Sequence, residues 1–279
     1  MPELPEVEVV RRDLDPVVQG RTIVAVEVGH DRAVRRAPSR DAFVDALVGR
    51  TIRGTGRVGK FLTLHLDGAP AVLIVHLGMS GQLRVAAAPD EARQAHTHVV
   101  WTLDDGREVR FVDPRTFGQT WTSPAGSGPR PVALEHLGPD ALDELGGADD
   151  LARRLAGRRV AVKLRLMDQT ALAGLGNIYT DEILFAAGIA PHRPAGALRS
   201  EEVGALVDAL REVLPAAIAA GGSSLADAQY VDGRGRPGRY QERHQVYARA
   251  GMPCPRCGRR VARQKMGGRF ASFCPGCQS

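Results

Sequence analysis

Residues 99–112 read VVWTLDDGREVRFV: two apolar runs, Val99 to Leu103 and Glu108 to Val112, on either side of Asp105-Gly106. Asp-Gly between such runs is a strong hairpin signal, because the glycine takes the positive φ that a tight turn needs. The neighbouring sequence repeats the theme. Val24, Val26 and Val28 alternate, as do Leu62, Leu64 and Leu66, while residues 71–77 read as a fully buried strand and residues 119–122 as a further strand. Short strands with turns at this spacing predict a β-sandwich. Helices flank it at residues 5–19, where Val7, Val10, Leu14, Val17 and Val18 recur at three- and four-residue steps before Gly20, and at residues 41–47.

Past this region the period changes. Residues 123–131 (SPAGSGPRP) are the clearest composition break and read as an interdomain linker. Candidate helices follow at residues 139–144, 148–156, 162–167, 177–187 and 200–220, with Pro215 expected to kink or break the last near Leu214. Residues 221–240 are rich in glycine, arginine and serine and read as a loop. The chain thus reads as two-domain α+β: residues 1–122 a helix-flanked β-sandwich, 123–131 the linker, 132–240 a helical domain with its loop, and 241–279 a terminal finger.

The chain has 279 residues, enough for two cored domains, with 43% hydrophobic and 25% charged residues. A net charge of +5, carried mostly by arginine, is compatible with a phosphate-bearing partner, as it is with a high-GC genome's codon bias. The acidic start is unlike a signal peptide and no apolar run is long enough to span a bilayer, which points to the cytoplasm and away from membranes.

All four cysteines lie at the end, as Cys254-Pro-Arg-Cys257 and Cys274-Pro-Gly-Cys277, with 16 residues between the pairs. That spacing fits one tetrahedral four-thiolate zinc ion joining two turns. Four thiolates close the coordination sphere, so this zinc is structural. It would hold the intervening hairpin, with Arg259, Arg260, Arg263, Lys265 and Arg269, as a basic finger.

The other end carries the chemistry. Met1-Pro2-Glu3-Leu4-Pro5-Glu6 places proline behind the initiator methionine, and its small ring favours clipping. The exposed secondary amine would have an α-amino pKa near ~8, against about 10.4 for lysine, leaving roughly a tenth of it unprotonated at neutral pH. Such an amine attacks an aldehyde-level carbon to give an iminium, an electron sink. Glu3 and Glu6 set two carboxyls within a few residues of it as proton donors, acceptors or orienters. The plainer reading is an ordinary helix start, with proline in the first turn and acids at the positive end of the dipole.

Together these pieces resemble the formamidopyrimidine-DNA glycosylase family, the bacterial base-excision enzymes that include endonuclease VIII. The resemblance covers nearly the whole chain: MPELPEVEV (residues 1–9), Gly59-Lys60-Phe61, HLGMSG (76–81), DPRTFG (113–118), GLGNIYTD (174–181), GGSSL (221–225) and the CPRC…FCPGCQ finger. It implies an N-terminal two-sheet β-sandwich, a helix–two-turn–helix domain and a zinc hairpin. By resemblance Pro2 attacks C1′ of the damaged nucleotide, Glu3 is general acid toward the sugar ring oxygen, and Glu6 assists and orients. β- and then δ-elimination cut the strand on both sides of the lesion, with no catalytic cofactor. Lys60 resembles the hairpin lysine that reaches lesion phosphate or base, and Arg269 the finger arginine linked to δ-elimination. Asn177, by itself a plausible helix cap, becomes a phosphate ligand, and His96, Arg158 and Tyr247 match further DNA-contact positions. His76, Lys163 and the other finger arginines are plausible backbone contacts with no assigned role.

Met79, Arg115 and Phe117 resemble the family's intercalating trio: an apolar wedge and an aromatic ring replace stacking, and the arginine bonds the orphaned cytosine. The alternative, that Met79 and Phe117 are core residues, is weakened by the glycines and turn residues around them. Leu4, this trio and the long 221–240 loop favour the oxidised-purine branch (8-oxoguanine, formamidopyrimidines) over endonuclease VIII. That loop departs from the family pattern at residues 227–239, with more arginine and fewer aromatics, and Arg165 stands where a bulky apolar residue is usual. The leading expectation is a monomeric, bifunctional DNA glycosylase/AP lyase acting on duplex DNA with oxidised bases or abasic sites, cytoplasmic and nucleoid-associated when bound. The alternatives are an endonuclease VIII-like enzyme for oxidised pyrimidines and a non-catalytic zinc protein that binds damaged DNA.

Overall fold

The structure, a computed structural model, describes residues 1–68, 71–86, 91–225 and 230–279. It divides into two compact units, Met1–His136 with Ala220–Arg239, and Leu137–Ala219 with Tyr240–Ser279.

The first unit opens with α1 (Leu4–Val18), followed by β1 (Ile23–Val28), α2 (Arg40–Asp45), β2 (Ile52–Val58), β3 (Phe61–Leu66), β4 (Ala71–His76), β5 (Gln82–Ala86), β6 (Thr97–Leu103), β7 (Glu108–Val112) and β8 (Gln119–Pro124). The strands form two four-stranded antiparallel sheets, β1-β6-β7-β5 and β2-β3-β4-β8. The β6–β7 hairpin turns at Gly106, whose φ is +85°, and pairs Val99 with Phe111 and Trp101 with Val109. These side chains join Leu62, Leu64, Leu73, Val75 and the Val7, Val10, Leu14 and Val18 face of α1 in one core. The valine alternation in β1 does not set its buried face: a bulge between Ile23 and Ala25 shifts the register, so Ile23 is buried and Val24 is 49% exposed.

Two strands had no clear sequence signal. β2 holds two glycines and two arginines, and it is held by β3 and by Asp15 of α1, whose carboxylate accepts the Thr55 N–H (3.0 Å) and hydroxyl (2.6 Å). β5 is a short edge strand. The composition break at residues 123–131 lies inside the first unit. Ser123 and Pro124 end β8, Ala125 bridges Pro131, and the Gly126 N–H donates to Arg130 O at 3.0 Å, so the stretch is a tight surface turn. The division falls after His136, and residues from Ala220 to Arg239 fold with the first unit.

The second unit contains α3 (Ala148–Leu155), α4 (Val162–Met167), α5 (Asn177–Ala186), α6 (Ser200–Ala219) and the hairpin of β9 (Ala262–Met266) and β10 (Arg269–Phe273). Residues 139–144 are a turn rather than a helix. Asp140 explains it, since its carboxylate takes the Leu142 and Asp143 N–H groups and offers the backbone a non-helical arrangement. α6 runs unbroken through Pro215, its buried Val213, Leu214, Ala217 and Ile218 outweighing the one missing N–H. Between α4 and α5 the chain makes two turns fixed by Gln169, whose amide donates to Met167 O and Leu175 O and accepts the Gly174 N–H. The finger hairpin turns on Gly267 and Gly268, both at positive φ. Arg165, unexplained in the sequence, donates to Arg154 O and pairs with Asp168 at 2.7 Å, tying the end of α3 to the first of those turns. Among the described residues no helix is long and apolar enough to cross a membrane.

Candidate active site

The N-terminus of α1 carries buried polar groups. Pro2 is buried, Glu3 is 2% exposed at the N-cap and Glu6 is 1% exposed in the first turn. Glu6 is held on both oxygens: one accepts the Glu3 N–H at 2.8 Å, the other the Ser223 N–H at 2.8 Å. The Tyr230 hydroxyl donates to Gly221 O (3.1 Å) and Glu6 O (3.4 Å). Burial and the Glu6 charge push the Tyr230 hydroxyl pKa well up, so it stays a donor. The two arms of the 221–240 loop therefore grip the helix turn that follows Pro2. The middle of the expected lesion-covering loop, residues 226–229, lies outside the described residues. Ser223 lies in GGSSL, but nothing local pairs it or Tyr230 with Glu6, since each meets that residue from more than 200 positions away.

Lys60 follows Gly59 (φ +58°) on the β2–β3 turn and is 7% exposed. Beneath that turn Arg57 donates to Gly59 O at 3.2 Å and pairs with Glu8 of α1 at 3.2 Å. Glu8 also binds Arg11 and Arg12, which together with Arg57 hold its carboxyl down at about 2 despite burial. His76, at the end of β4, is held down to about 4 by burial and by Lys60, Arg36 and Arg35, so it is neutral at pH 7. Its ring packs 4.8 Å from that of Phe61.

Met79 and Phe117 are 42% and 39% exposed, outside the core as the surrounding turn residues suggested. The Arg115 guanidinium lies 4.8 Å from the Phe117 ring centroid, so DPRTFG presents both to solvent together. His96 is exposed with φ +64°, and its carbonyl accepts the Asp113 N–H, which joins it to the base of the same loop.

In the second unit Asn177 is the first residue of α5, behind an N-cap of Gly176. Its side chain does not cap the helix, and its buried Oδ1 has no partner among the described residues. It opens on a cavity of about 470 Å³ lined by Asn177, Tyr247, Ala248, Arg263, Phe270 and Ser272, next to a helix N-terminus suited to an anion. α5 organises this cavity. Glu182 accepts the N–H groups of Gln245, Val246 and Tyr247 at 2.8–3.0 Å, and Asp181 accepts the Ser272 N–H at 2.9 Å. Arg263, left without a role in the sequence, stacks 3.6 Å over Phe270 in the lining. Arg269 is exposed at the start of β10, beside Phe270. Arg158 is exposed on the turn after α3. Lys163 is not a surface cation: fully buried, it donates to Asp181 (2.5 Å) and Phe270 O (3.2 Å).

The four cysteine Sγ atoms lie within 4.8 Å of one another, with Cys254–Cys277 at 3.9 Å and Cys257–Cys274 at 3.4 Å. Zn–S bonds of about 2.3 Å in a tetrahedron set sulfurs about 3.8 Å apart, so the quartet fits one structural zinc. Arg256 beside it donates to Phe185 O and stacks on the Phe185 ring, seating the finger on the end of α5.

Three family models match in order along the chain: formamidopyrimidine-DNA glycosylase N-terminal domain (residues 1–120), formamidopyrimidine-DNA glycosylase H2TH domain (137–229) and the zinc finger found in FPG and IleRS (251–279). The formamidopyrimidine-DNA glycosylase of Moorella thermoacetica is 48% identical over 94% of each chain. That of Corynebacterium aurimucosum is 43% identical over 100% of this chain and 96% of its own. The crystal structure of the Fpg protein from Thermus thermophilus superposes with a TM-score of 0.86 at 41% identity, covering 99% of this chain and 98% of that one. The Lactococcus lactis Fpg in complex with DNA containing N7-benzyl-Fapy-dG gives 0.88 at 33% identity over the whole of both chains.

Proposed function

The chain belongs to the formamidopyrimidine-DNA glycosylase family, and from that premise we propose that it is a bifunctional DNA glycosylase/AP lyase of base excision repair, acting on oxidised purines in duplex DNA. With Met1 removed, the Pro2 nitrogen attacks C1′ of the damaged nucleotide and the glycosidic electron pair leaves with the base. Glu3 protonates the sugar ring oxygen as the ring opens, leaving an iminium between Pro2 and C1′. The iminium acidifies the C2′ proton, so its removal expels the 3′ phosphate by β-elimination, and a second elimination expels the 5′ phosphate. Each step moves only protons and leaving groups, so the chain's own amine and acid/base groups suffice.

The observation that carries this reading is the pair of buried carboxyls on either side of the first turn, Glu3 and Glu6, behind a buried Pro2. Set in the turn directly behind the amine, the two carboxyls stand where these steps give and take protons. Lys60 supplies a nearby cation to lesion phosphate or base. Asn177, Tyr247 and Arg269, with Arg158 and His96, hold the DNA backbone, and Met79, Arg115 and Phe117 refill the stack. The zinc holds the finger and enters no step. The same reading places the protein on the chromosome in the cytoplasm.

The test is borohydride trapping on a duplex with one 8-oxoguanine opposite cytosine, followed by peptide mapping. A cross-link at Pro2 is expected. A cross-link on an abasic duplex alone moves lesion preference to oxidised pyrimidines, and none on either DNA leaves a binding protein.

A further inference from the structure

We propose that Asp113 and Arg35 form a brace that holds the Met79 and Phe117 loops in one fixed relation, ready to fill the hole left by an extruded nucleotide. The inference rests on the stack-refilling reading of these side chains given above.

The two loops are separate in sequence but meet at the backbone. A Cβ built on Gly78 would lie 2.5 Å from Gly118 N and 2.6 Å from Phe117 C, so only glycine permits the approach. Asp113, 0% exposed, is shared between the loops. Its Oδ1 accepts the Ser80 hydroxyl (2.5 Å) from the Met79 loop and the Arg115 N–H (3.2 Å) from its own. Its Oδ2 accepts the Gly118 N–H at 2.6 Å. From the other side the Arg35 guanidinium donates to Gly118 O and Phe117 O, both at 3.1 Å, and anchors itself on Arg32 O at 2.7 Å. The peptide groups around Phe117 are thus held by an anion within and a cation without. Burial and the repulsion of Arg32 and Arg36 hold the Arg35 pKa below its ordinary value, and the Asp113 charge opposes them.

The backbone between these anchors is strained. Thr116, a β-branched residue, has φ +53°, a conformation that persists only where its surroundings over-determine it. Two exposed apolar side chains held by a buried carboxylate, a bridging guanidinium and a strained turn are preorganised for contact. A wedge that must enter a base stack gains from this, because little side-chain and loop ordering is left for the bound state. Asp113 and Arg35 are positioning residues: neither touches the reacting atoms.

The experiment compares single-turnover excision of 8-oxoguanine opposite cytosine in a duplex with borohydride trapping on a single-stranded abasic oligonucleotide, which has no stack to refill. Arg35→Gln and Asp113→Asn are expected to slow duplex excision by about ten- to a hundredfold, the effect of losing charge-assisted bonds, with single-strand trapping within about twofold of the parent. The preference for cytosine over adenine opposite the lesion should narrow in both, which a general loss of folded protein would not do. Ser80→Ala should show the same pattern more weakly. Equal losses on both substrates, or parental duplex rates and opposite-base preference, overturn the brace. Phe117→Ala separates the two levels. A parental duplex rate there removes stack refilling, and the brace with it, whereas a loss there with parental behaviour in Arg35→Gln and Asp113→Asn removes the brace alone.

Discussion

Gly222→Ala and Gly221→Ala are adjacent substitutions with the same backbone cost and different neighbours. Their φ values are +78° and +77°, so alanine at either enters the left-handed region at about 1–2 kcal/mol, partly offset by a stiffer unfolded chain. At Gly221 the new Cβ meets only Gly238 Cα, at 3.6 Å, an ordinary contact. At Gly222 it falls 2.8 Å from Glu6 Oε1, 3.0 Å from Glu6 Cγ and 3.1 Å from Tyr230 Cε1. Glu6 must then retreat by roughly half an ångström, and the Oε1 that moves is the one bonded to the Ser223 N–H at 2.8 Å. Losing that charge-assisted bond adds about 1.5–3 kcal/mol, so Gly222→Ala should be destabilised by roughly 2–4 kcal/mol and Gly221→Ala by about 1. The functional gap should be wider. If Glu6 orients the proton transfers around Pro2, its displacement should slow imine formation on the order of a hundredfold, within the range that general acid–base groups contribute. The assay is single-turnover borohydride trapping on an abasic duplex, with binding to an uncleavable abasic analogue measured alongside and expected to be unchanged. Equal trapping rates in the two variants would refute the argument, showing that the contact with Glu6 does not govern the amine.

Lys163→Met removes one partner of a fully buried pair and should destabilise the protein by about 3–5 kcal/mol in denaturant titrations, with Asp181→Asn added in the same chain recovering part of the loss. Because Lys163 faces Asp181 and the Phe270 carbonyl, the salt dependence of DNA binding should keep its slope; a drop of about one would show a phosphate contact instead. His76 and His244 are both held down to about 4 by burial. The unfolded chain takes up these protons first, so stability should fall as pH drops from about 6.5 towards 4, by about 3 kcal/mol for each imidazole. Urea midpoints for the parent and for His76→Gln across that window check this, and an unchanged pH slope in the variant would count against the burial of His76.

What the sequence made legible was local. The Asp105-Gly106 hairpin, the helix behind Pro2 and the paired cysteines each carry their signal within a few residues, and each is in place. β2 escaped because IRGTGRV has no strand pattern of its own; its pairing with β3 and its bonds to Asp15 come from elsewhere in the chain. Residues 123–131 have a linker's composition but close on themselves through Ala125 and Pro131, which composition cannot reveal. In the candidate site, the residues expected to touch DNA stand in motifs, and so do Asp113 and Ser223, but nothing local shows what those two hold. Ser223, Tyr230 and Arg35 reach their targets across 217, 224 and more than 80 positions. Lys163 misled for the same reason, since nothing near it in sequence shows that Asp181 and the finger strand enclose it.

These supports share one physical device. Glu6 accepts the N–H groups of Glu3 and Ser223, Asp113 those of Arg115 and Gly118, Asp181 that of Ser272, and Glu182 those of Gln245, Val246 and Tyr247. All four carboxyls are at most 2% exposed. Turns and helix starts leave backbone N–H groups without partners, and those are the places where the side chains proposed to face DNA stand clear of the core. A buried carboxylate answers both needs. It can accept several such donors at once through bonds stronger than neutral ones, and, being short-stemmed and enclosed, it leaves them little freedom. In a chain whose exposed charge is mostly arginine, the acids that matter most for placing the groups proposed to react and to face DNA are therefore the ones solvent does not reach.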